Sequence, residues 1–188
     1  QRNINKFEQR TKMESSELLY SWLKPFSDSI NTICEIGCGN GHNLSYLSEM
    51  LDASGYGIDP SKKANEYISK KFPKIKTMIG TGDDIQFEDD QFDHVHLGFF
   101  LYLVDRKHFL RCISEADRIL KNGGFLSILD FDVPYRHTNE YSHHKDINVF
   151  KLDNSKIFQE TGFYTLMSKF TFSHDKFYFE KNMNERIS

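Results

Sequence analysis

Residues 33–41 read Ile33-Cys34-Glu35-Ile36-Gly37-Cys38-Gly39-Asn40-Gly41, a short apolar run that breaks into glycines just before a helical pattern begins. Glycine at every second position lets the backbone turn tightly and come close to a ligand, because no Cβ stands in the way. The spacing is G-x-G-x-G, whereas the dinucleotide fingerprint places its third glycine one residue later. Glu35 stands two positions before Gly37, where a ligand carrying a positive charge is favoured and a pyrophosphate is not. Working outward, residues 55–59 read Gly-Tyr-Gly-Ile-Asp and end a second short strand at Asp59. An acid about 20 residues beyond a glycine loop is where a nucleoside-binding α/β unit holds ribose hydroxyls. The two signals, in strand–loop–helix–strand order, predict a doubly wound α/β fold.

The alternation continues along the chain. Residues 13–24 read as an amphipathic helix with Leu18, Leu19, Trp22 and Leu23 on one side, within an N-terminal helical cover over 1–30. Strands are predicted at 32–36, up to Asp59, near 76–79, at 92–98 and at 125–130. Helices are predicted over 42–51, from Ser61 to about 72, and over 106–120, the last capped by Asp105 and closed by Asn122-Gly123-Gly124. Such alternation predicts a parallel sheet with helices on both faces. The tail departs from it. A short helix near 153–160 precedes two strand-like stretches, 164–172 and 176–180, joined by a turn at Ser173-His174-Asp175. The 188 residues are read as one domain.

Composition narrows the class of partner. A net charge of −3 gives no basic footprint for a nucleic-acid backbone. No run has the apolar length needed to cross a bilayer, and no signal-peptide pattern is present, so no membrane partner is expected. The three cysteines, Cys34, Cys38 and Cys112, are odd in number and have no metal-site spacing, which fits reduced thiols in a cytoplasmic protein. Aromatic residues reach 14%, more than a sheet core needs, so some are free to line a pocket.

On Glu35 with its glycine loop and on Asp59 at this spacing, the chain resembles the class I S-adenosylmethionine-dependent methyltransferases, from which Gly80-Thr81-Gly82-Asp83 before Phe92-Asp93 departs. The likeness runs over about 33–130, and the terminal hairpin extends it. It implies a doubly wound sheet of seven strands, the last antiparallel, with S-adenosylmethionine as cofactor and a small-molecule methyl acceptor. It also implies the cofactor-binding positions. Gly37, Cys38, Gly39, Asn40 and Gly41 would cradle the methionine and ribose portions, with Glu35 beside them. Asp59 would bind the ribose hydroxyls, a role that competes with capping the next helix. Pro60 would lie near the adenine, and Leu97 would end the fourth strand beside the cofactor. Thr81 stands where the family carries an adenine-binding Asp, so Thr81, Gly82 and Asp83 share that expectation.

The loops after the fourth and fifth strands carry the candidates for catalysis. Leu101-Tyr102 stand where relatives acting on small molecules often carry Glu-His, and Tyr102 can hydrogen-bond an acceptor. Residues 131–151 form a long, polar, aromatic stretch, a candidate lid. Within it Tyr135, His137, His143 and His144 are candidates to hold or take a proton, and Arg136 and Lys145 to hold an anion. These point to a sugar, a nucleotide-sugar or another anionic metabolite. A protein or RNA acceptor, and a cofactor-binding subunit without catalysis, are the competing readings.

Overall fold

The computed structural model describes residues 14–140, 148–173, 182–184 and 186–188. Helix α1 (Glu14–Leu23) leads through a 3-10 turn (Lys24–Ser29) into β1 (Thr32–Ile36). Then follow α2 (His42–Met50), β2 (Ser54–Asp59), α3 (Lys62–Lys71), β3 (Lys76–Ile79), β4 (Phe92–Gly98), α4 (Arg106–Ile119) and β5 (Leu120–Leu129). The five strands form one parallel sheet in the order β3-β2-β1-β4-β5. Chain direction across the sheet therefore reverses between β1 and β4, and their carboxyl ends open a crevice.

Side chains alternate across the sheet, so each strand feeds two cores. Cys34, Ile36, Val95 and Leu97 pack against Cys112, Ala116 and Ile119 of α4. Ile33 on the opposite face packs with Leu44 and Leu47 of α2 and Leu23 of α1. The predicted Asp105 cap forms, its Oδ1 accepting from Lys107 N–H at 3.0 Å, and α3 is capped by Ser61, whose Oγ accepts from Ala64 N–H.

Three expectations are corrected. First, α4 ends at Ile119, and Leu120 passes at once into extended backbone as the first residue of β5. Asn122-Gly123-Gly124 does not close the helix. It lies inside β5, where the pairing with β4 slips between Phe92 and His94, and Gly123 takes φ +79°. Ile119 and Leu120 are buried and Leu120 already pairs with Phe92, so packing ends the helix before the glycines are reached.

Second, the main sheet of the described residues has five strands where seven were expected. Residues 164–171 form no ladder; side chains tie them down instead. Lys169 Nζ reaches both Asp132 and Asp153 at 2.9 Å, and Thr171 Oγ1 donates to Asp132 at 2.8 Å. Among the described residues of the tail, antiparallel pairing joins β8 (Phe172–Ser173) to β9 (Arg186–Ile187), with Ile187 also bridging Phe131 and with Ser188 and Asp130 exchanging N–H···O bonds at 3.0 Å. Ser173 is thus a strand residue, and the 176–180 stretch lies outside the described residues.

Third, the 131–151 stretch contains an antiparallel ribbon, β6 (His137–Glu140) with β7 (Asn148–Lys151). Its base is anchored by buried Val149 and Lys151, which α5 (Ser155–Glu160) follows.

Candidate functional site

The crevice at the ends of β1 and β2 is built by the glycine loop, and its glycines do different work. Gly41 has φ +71°, and a Cβ there would meet Ile68 Cγ1 at 2.8 Å, so it serves the packing of α2 on α3. Gly39 has φ +51° and nothing within 4 Å of where a Cβ would lie, so its open side faces the crevice. Asp59 ties the loop to β2: Oδ2 accepts Gly39 N–H at 2.9 Å and Oδ1 accepts Ser61 N–H at 2.8 Å. The carboxylate therefore spans the two loops that were expected to share one ligand.

The Cys38 thiol is buried beneath the loop, at 2.6 Å from where a Cβ on Gly57 would sit, so only its backbone faces the crevice. Leu97 is likewise a core side chain. Asn40 is partly buried and Pro60 exposed, each on its expected loop. Loop three brings Thr81 and Asp83 together and adds an unforeseen partner. Asp83 Oδ2 lies 2.6 Å from His108 Nδ1, and the Thr81 hydroxyl is the largest of the influences that lower its pKa. Gly82 packs against Phe100, whose ring also covers Gly37; a Cβ at either glycine would lie 2.4 or 3.0 Å from that ring. Phe100 thus wedges loops one and three together.

Glu35, on β1, is buried against the start of α2. Its Oε1 accepts from Asn43 Nδ2 at 3.1 Å, its Oε2 has no partner among the described residues, and Asn43 in turn accepts from the Ser16 hydroxyl of α1. Burial pushes its carboxyl up to about 8, against the pull of Asn43 and the Leu44 N–H. Beside it on β4 lie His94 and His96, both fully buried, with the pKa driven down to about 3 and 4 by burial. They share Ser127 of β5, with His94 Nε2 and His96 Nδ1 each 2.7 Å from its Oγ. The sequence reading missed this row. Its signal is polar residues at a period of two inside the apolar run of β4.

The catalytic candidates separate. Tyr102 lies past β4 with its ring against Phe99 and Phe131, and its N–H donates to Asp130 Oδ2 at 3.0 Å. Phe99 holds φ +48°, an uncommon backbone state for a bulky residue. Tyr135 is 57% exposed, and His137 sits 5.7 Å away, ring to ring, at the start of β6. His143, with His144 and Lys145, lies outside the described residues. Asp130 is buried under donors from Tyr102, Phe131 and Asn154, and burial raises its pKa to about 7.

A cavity of about 760 Å³ runs along the outer edge of β5, with Leu19, Trp22, Phe125, Leu129, His96 and Ser127 among its walls. Among the described residues no group of three or more His, Cys, Asp or Glu is placed to hold a metal ion, and no helix is long and apolar enough to cross a membrane.

Comparison with known proteins gives the same outline. A family model described as a methyltransferase domain matches residues 34–128. A 2-phytyl-1,4-naphtoquinone methyltransferase from Nostoc punctiforme is 33% identical over 112 residues, covering 55% of this chain and 48% of its own. A demethylmenaquinone methyltransferase from Staphylococcus aureus is 31% identical over 105 residues, covering 53% and 43%. The chain spans about half the length of the curated relatives it matches. Among solved structures, a 1,6-didemethyltoxoflavin-N1-methyltransferase from Burkholderia thailandensis superposes with a TM-score of 0.64 at 9% identity, over 82% of this chain and 67% of that one, which shows a shared fold.

Proposed function

Because the chain belongs to the methyltransferase domain family, we propose that it transfers a methyl group from S-adenosylmethionine to a small-molecule acceptor, as one domain. The observation that carries this reading is the Asp59 carboxylate bridging Gly39 and Ser61 at the point where strand order reverses. Its oxygens keep lone pairs for two ribose hydroxyls, and the open side of Gly39 leaves room for a ligand against the backbone. When bound, the cofactor supplies a methyl group on a positively charged sulfur, already strongly electrophilic. The chain's own work is to hold, align and keep water out. Glu35 and the 37–41 loop hold the amino-acid and ribose ends, while Thr81, Gly82 and Asp83 wall the adenine side. Tyr102 orients the acceptor.

The acceptor enters by the β5 cavity, whose Leu19, Trp22, Phe125 and Leu129 suit an apolar body and whose His96 and Ser127 suit a hydroxyl. The two curated relatives are named for quinones, which share the apolar body. A sugar or anionic metabolite is a second reading, favoured by exposed Arg136, whose guanidinium lies 5.3 Å over the Phe150 ring. The β6–β7 ribbon closes over the acceptor as a lid, with Tyr135 and His137 carried on it.

Formation of S-adenosylhomocysteine tests the reading. The protein is incubated with S-adenosylmethionine and matched sets of hydroxyl-bearing apolar and phosphate-bearing acceptors. Turnover with the first set alone supports the apolar acceptor, and turnover with the second supports the anionic one. Binding of the cofactor without turnover on any acceptor would leave a binding subunit as the better description.

A further inference from the structure

Glu35, His96 and Ser127 pair side by side across β1, β4 and β5. His96 and Ser127 are walls of the β5 cavity, as is Asn43, which bonds Glu35 just before the glycine loop. The cavity and the crevice therefore meet at His96. Its Nδ1 lies 2.7 Å from Ser127 Oγ. Its Nε2 lies 2.8 Å from where a Cβ on Gly98 would sit, and it has no hydrogen-bond partner among the described residues. The side chain that Gly98 lacks would have covered that nitrogen. A buried imidazole with one nitrogen fixed and the other open is built to exchange a proton.

Hydrogen-bond accounting says which nitrogen carries the ring's own proton. His94 Nε2 and His96 Nδ1 each lie 2.7 Å from the one Ser127 hydroxyl. A hydroxyl has a single proton, so it donates to one ring and accepts from the other. Burial keeps both rings neutral, with one N–H each. The Ser127 main chain also favours a proton on His96, and Nδ1 is the nitrogen turned to Ser127. His96 Nδ1–H then donates to Ser127 Oγ, and the Ser127 O–H donates to His94 Nε2. His94 keeps its proton on Nδ1, which is buried without a partner among the described residues; that is the cost of the arrangement. What it provides is a lone pair on His96 Nε2, held at the junction by a ring that Ser127 and His94 fix in place.

We propose that His96 Nε2 is the catalytic base that takes the proton of an acceptor hydroxyl during methyl transfer, with Ser127 and His94 as positioning residues. This rests on the methyl-transfer reading and adds to it the base and the class of acceptor. The acceptor O–H bond breaks and its proton goes to Nε2. The oxygen forms a bond to the methyl carbon, and the carbon–sulfur bond breaks with its electron pair left on sulfur. One positive charge, on sulfur before the step, stands on the imidazolium after it, and the proton leaves to solvent with the product. Burial opposes adding a charge to this ring, but the reaction only moves one. Glu35 from β1, Asn43 from α2, Ser127 from β5 and His94 of β4 surround the ring, and none brings a cation to oppose it.

Two measurements test it. In the nitrogen-15 spectrum of histidine-labelled wild-type protein, His94 and His96 are the rings that do not titrate between pH 5 and 8, and both should carry their proton on Nδ1. Protons on Nε2 in both rings would overturn the proposal whatever the variants do. Turnover of S-adenosylmethionine is then measured at pH 7 with phenols of one shape and graded acidity. His96→Gln keeps the bulk but cannot take a proton, and should lower kcat about a hundredfold or more on the least acidic phenols. The loss should shrink toward phenols that are already ionised, while S-adenosylhomocysteine affinity holds and shows a folded variant. Ser127→Ala should lower kcat on the same phenols by a smaller factor with KM unchanged. An equal loss along the whole series would make His96 a structural residue and overturn the proposal. Turnover confined to phosphate-bearing acceptors would overturn it and leave methyl transfer standing. No turnover on any acceptor, with S-adenosylmethionine bound, would overturn the methyl-transfer reading together with it.

Discussion

Asp59 Oδ2 accepts the backbone N–H of Gly39 at 2.9 Å, so the end of β2 holds the middle of the glycine loop across twenty positions of sequence. The same carboxylate receives the Ser61 N–H that starts α3. Asp59→Ala should weaken S-adenosylmethionine binding roughly tenfold to a hundredfold, from charge-assisted hydrogen bonds worth about 1.5–3 kcal/mol. Calorimetry gives the affinity and thermal unfolding the stability. Unchanged affinity would remove Asp59 from the site.

Substitutions at Gly39 and Gly41 should separate binding from packing. Gly41→Ala places a methyl 2.8 Å from Ile68 Cγ1, in backbone at φ +71°, and should lower the melting temperature clearly. Gly39→Val puts a Cβ with no protein atom within 4 Å into the crevice, and its φ of +51° strains the backbone as well, so it should cost some stability yet abolish binding in protein that still folds, as thermal unfolding and calorimetry would show together. Wild-type affinity in Gly39→Val would mean that the loop does not touch the cofactor.

Two sets of buried groups give the free protein opposing pH dependences. Glu35, raised from 4.5 to about 8, contributes stability that is whole below 4.5 and lost as pH rises through 8. His94 and His96, lowered from 6.5 to about 3 and 4, contribute stability that is whole above 6.5 and lost as pH falls through 4 to 3. Between 6.5 and 8 Glu35 acts together with Asp130, raised from 3.8 to about 7 by burial, and both lower stability as pH rises, so urea unfolding should show falling stability there, and Glu35→Gln should remove the part that persists above pH 7. An equal slope in that variant would assign the loss to other groups.

Arg118 of α4 organises the approach to β4. It donates to the carbonyls of Ile85 and Phe87 at 2.8 Å each, and pairs with Glu115 at 2.8 Å and Asp89 at 2.7 Å. Arg118→Ala should cost about 2–3 kcal/mol, since two buried carbonyl bonds and a carboxylate fork are lost together. Arg118→Lys should recover less than half, because an ammonium cannot reproduce the planar fork. Denaturant unfolding of the three proteins measures both differences.

The parts of the fold that depend on short-range rules were legible in the sequence. The glycine loop, the Asp105 cap and the spacing to Asp59 each follow from a local requirement of backbone or charge. Local rules misplace the end of α4: Asn122-Gly123-Gly124 carries every mark of a C-cap, yet burial of Ile119 and Leu120 against β4 decides sooner. The same limit hid the polar row. Glu35 was noticed for its place before Gly37, but His94 and His96 gain their meaning from Ser127, some thirty positions away and adjacent only through sheet register. Phe100 gives no warning of its part either, since nothing nearby in sequence shows that its ring is shared by Gly37 and Gly82.

That shared ring has a thermodynamic consequence. With Phe100 in contact with both loops, neither wall can swing away alone without opening a void where the ring now packs. A ligand arriving at the crevice meets walls already in place, and is spared the roughly 1–2 kcal/mol that ordering each loose backbone residue would take from its affinity. Association should then be a single diffusive step rather than capture followed by a slower closure, and a smaller residue at position 100 would convert the first kind of kinetics into the second.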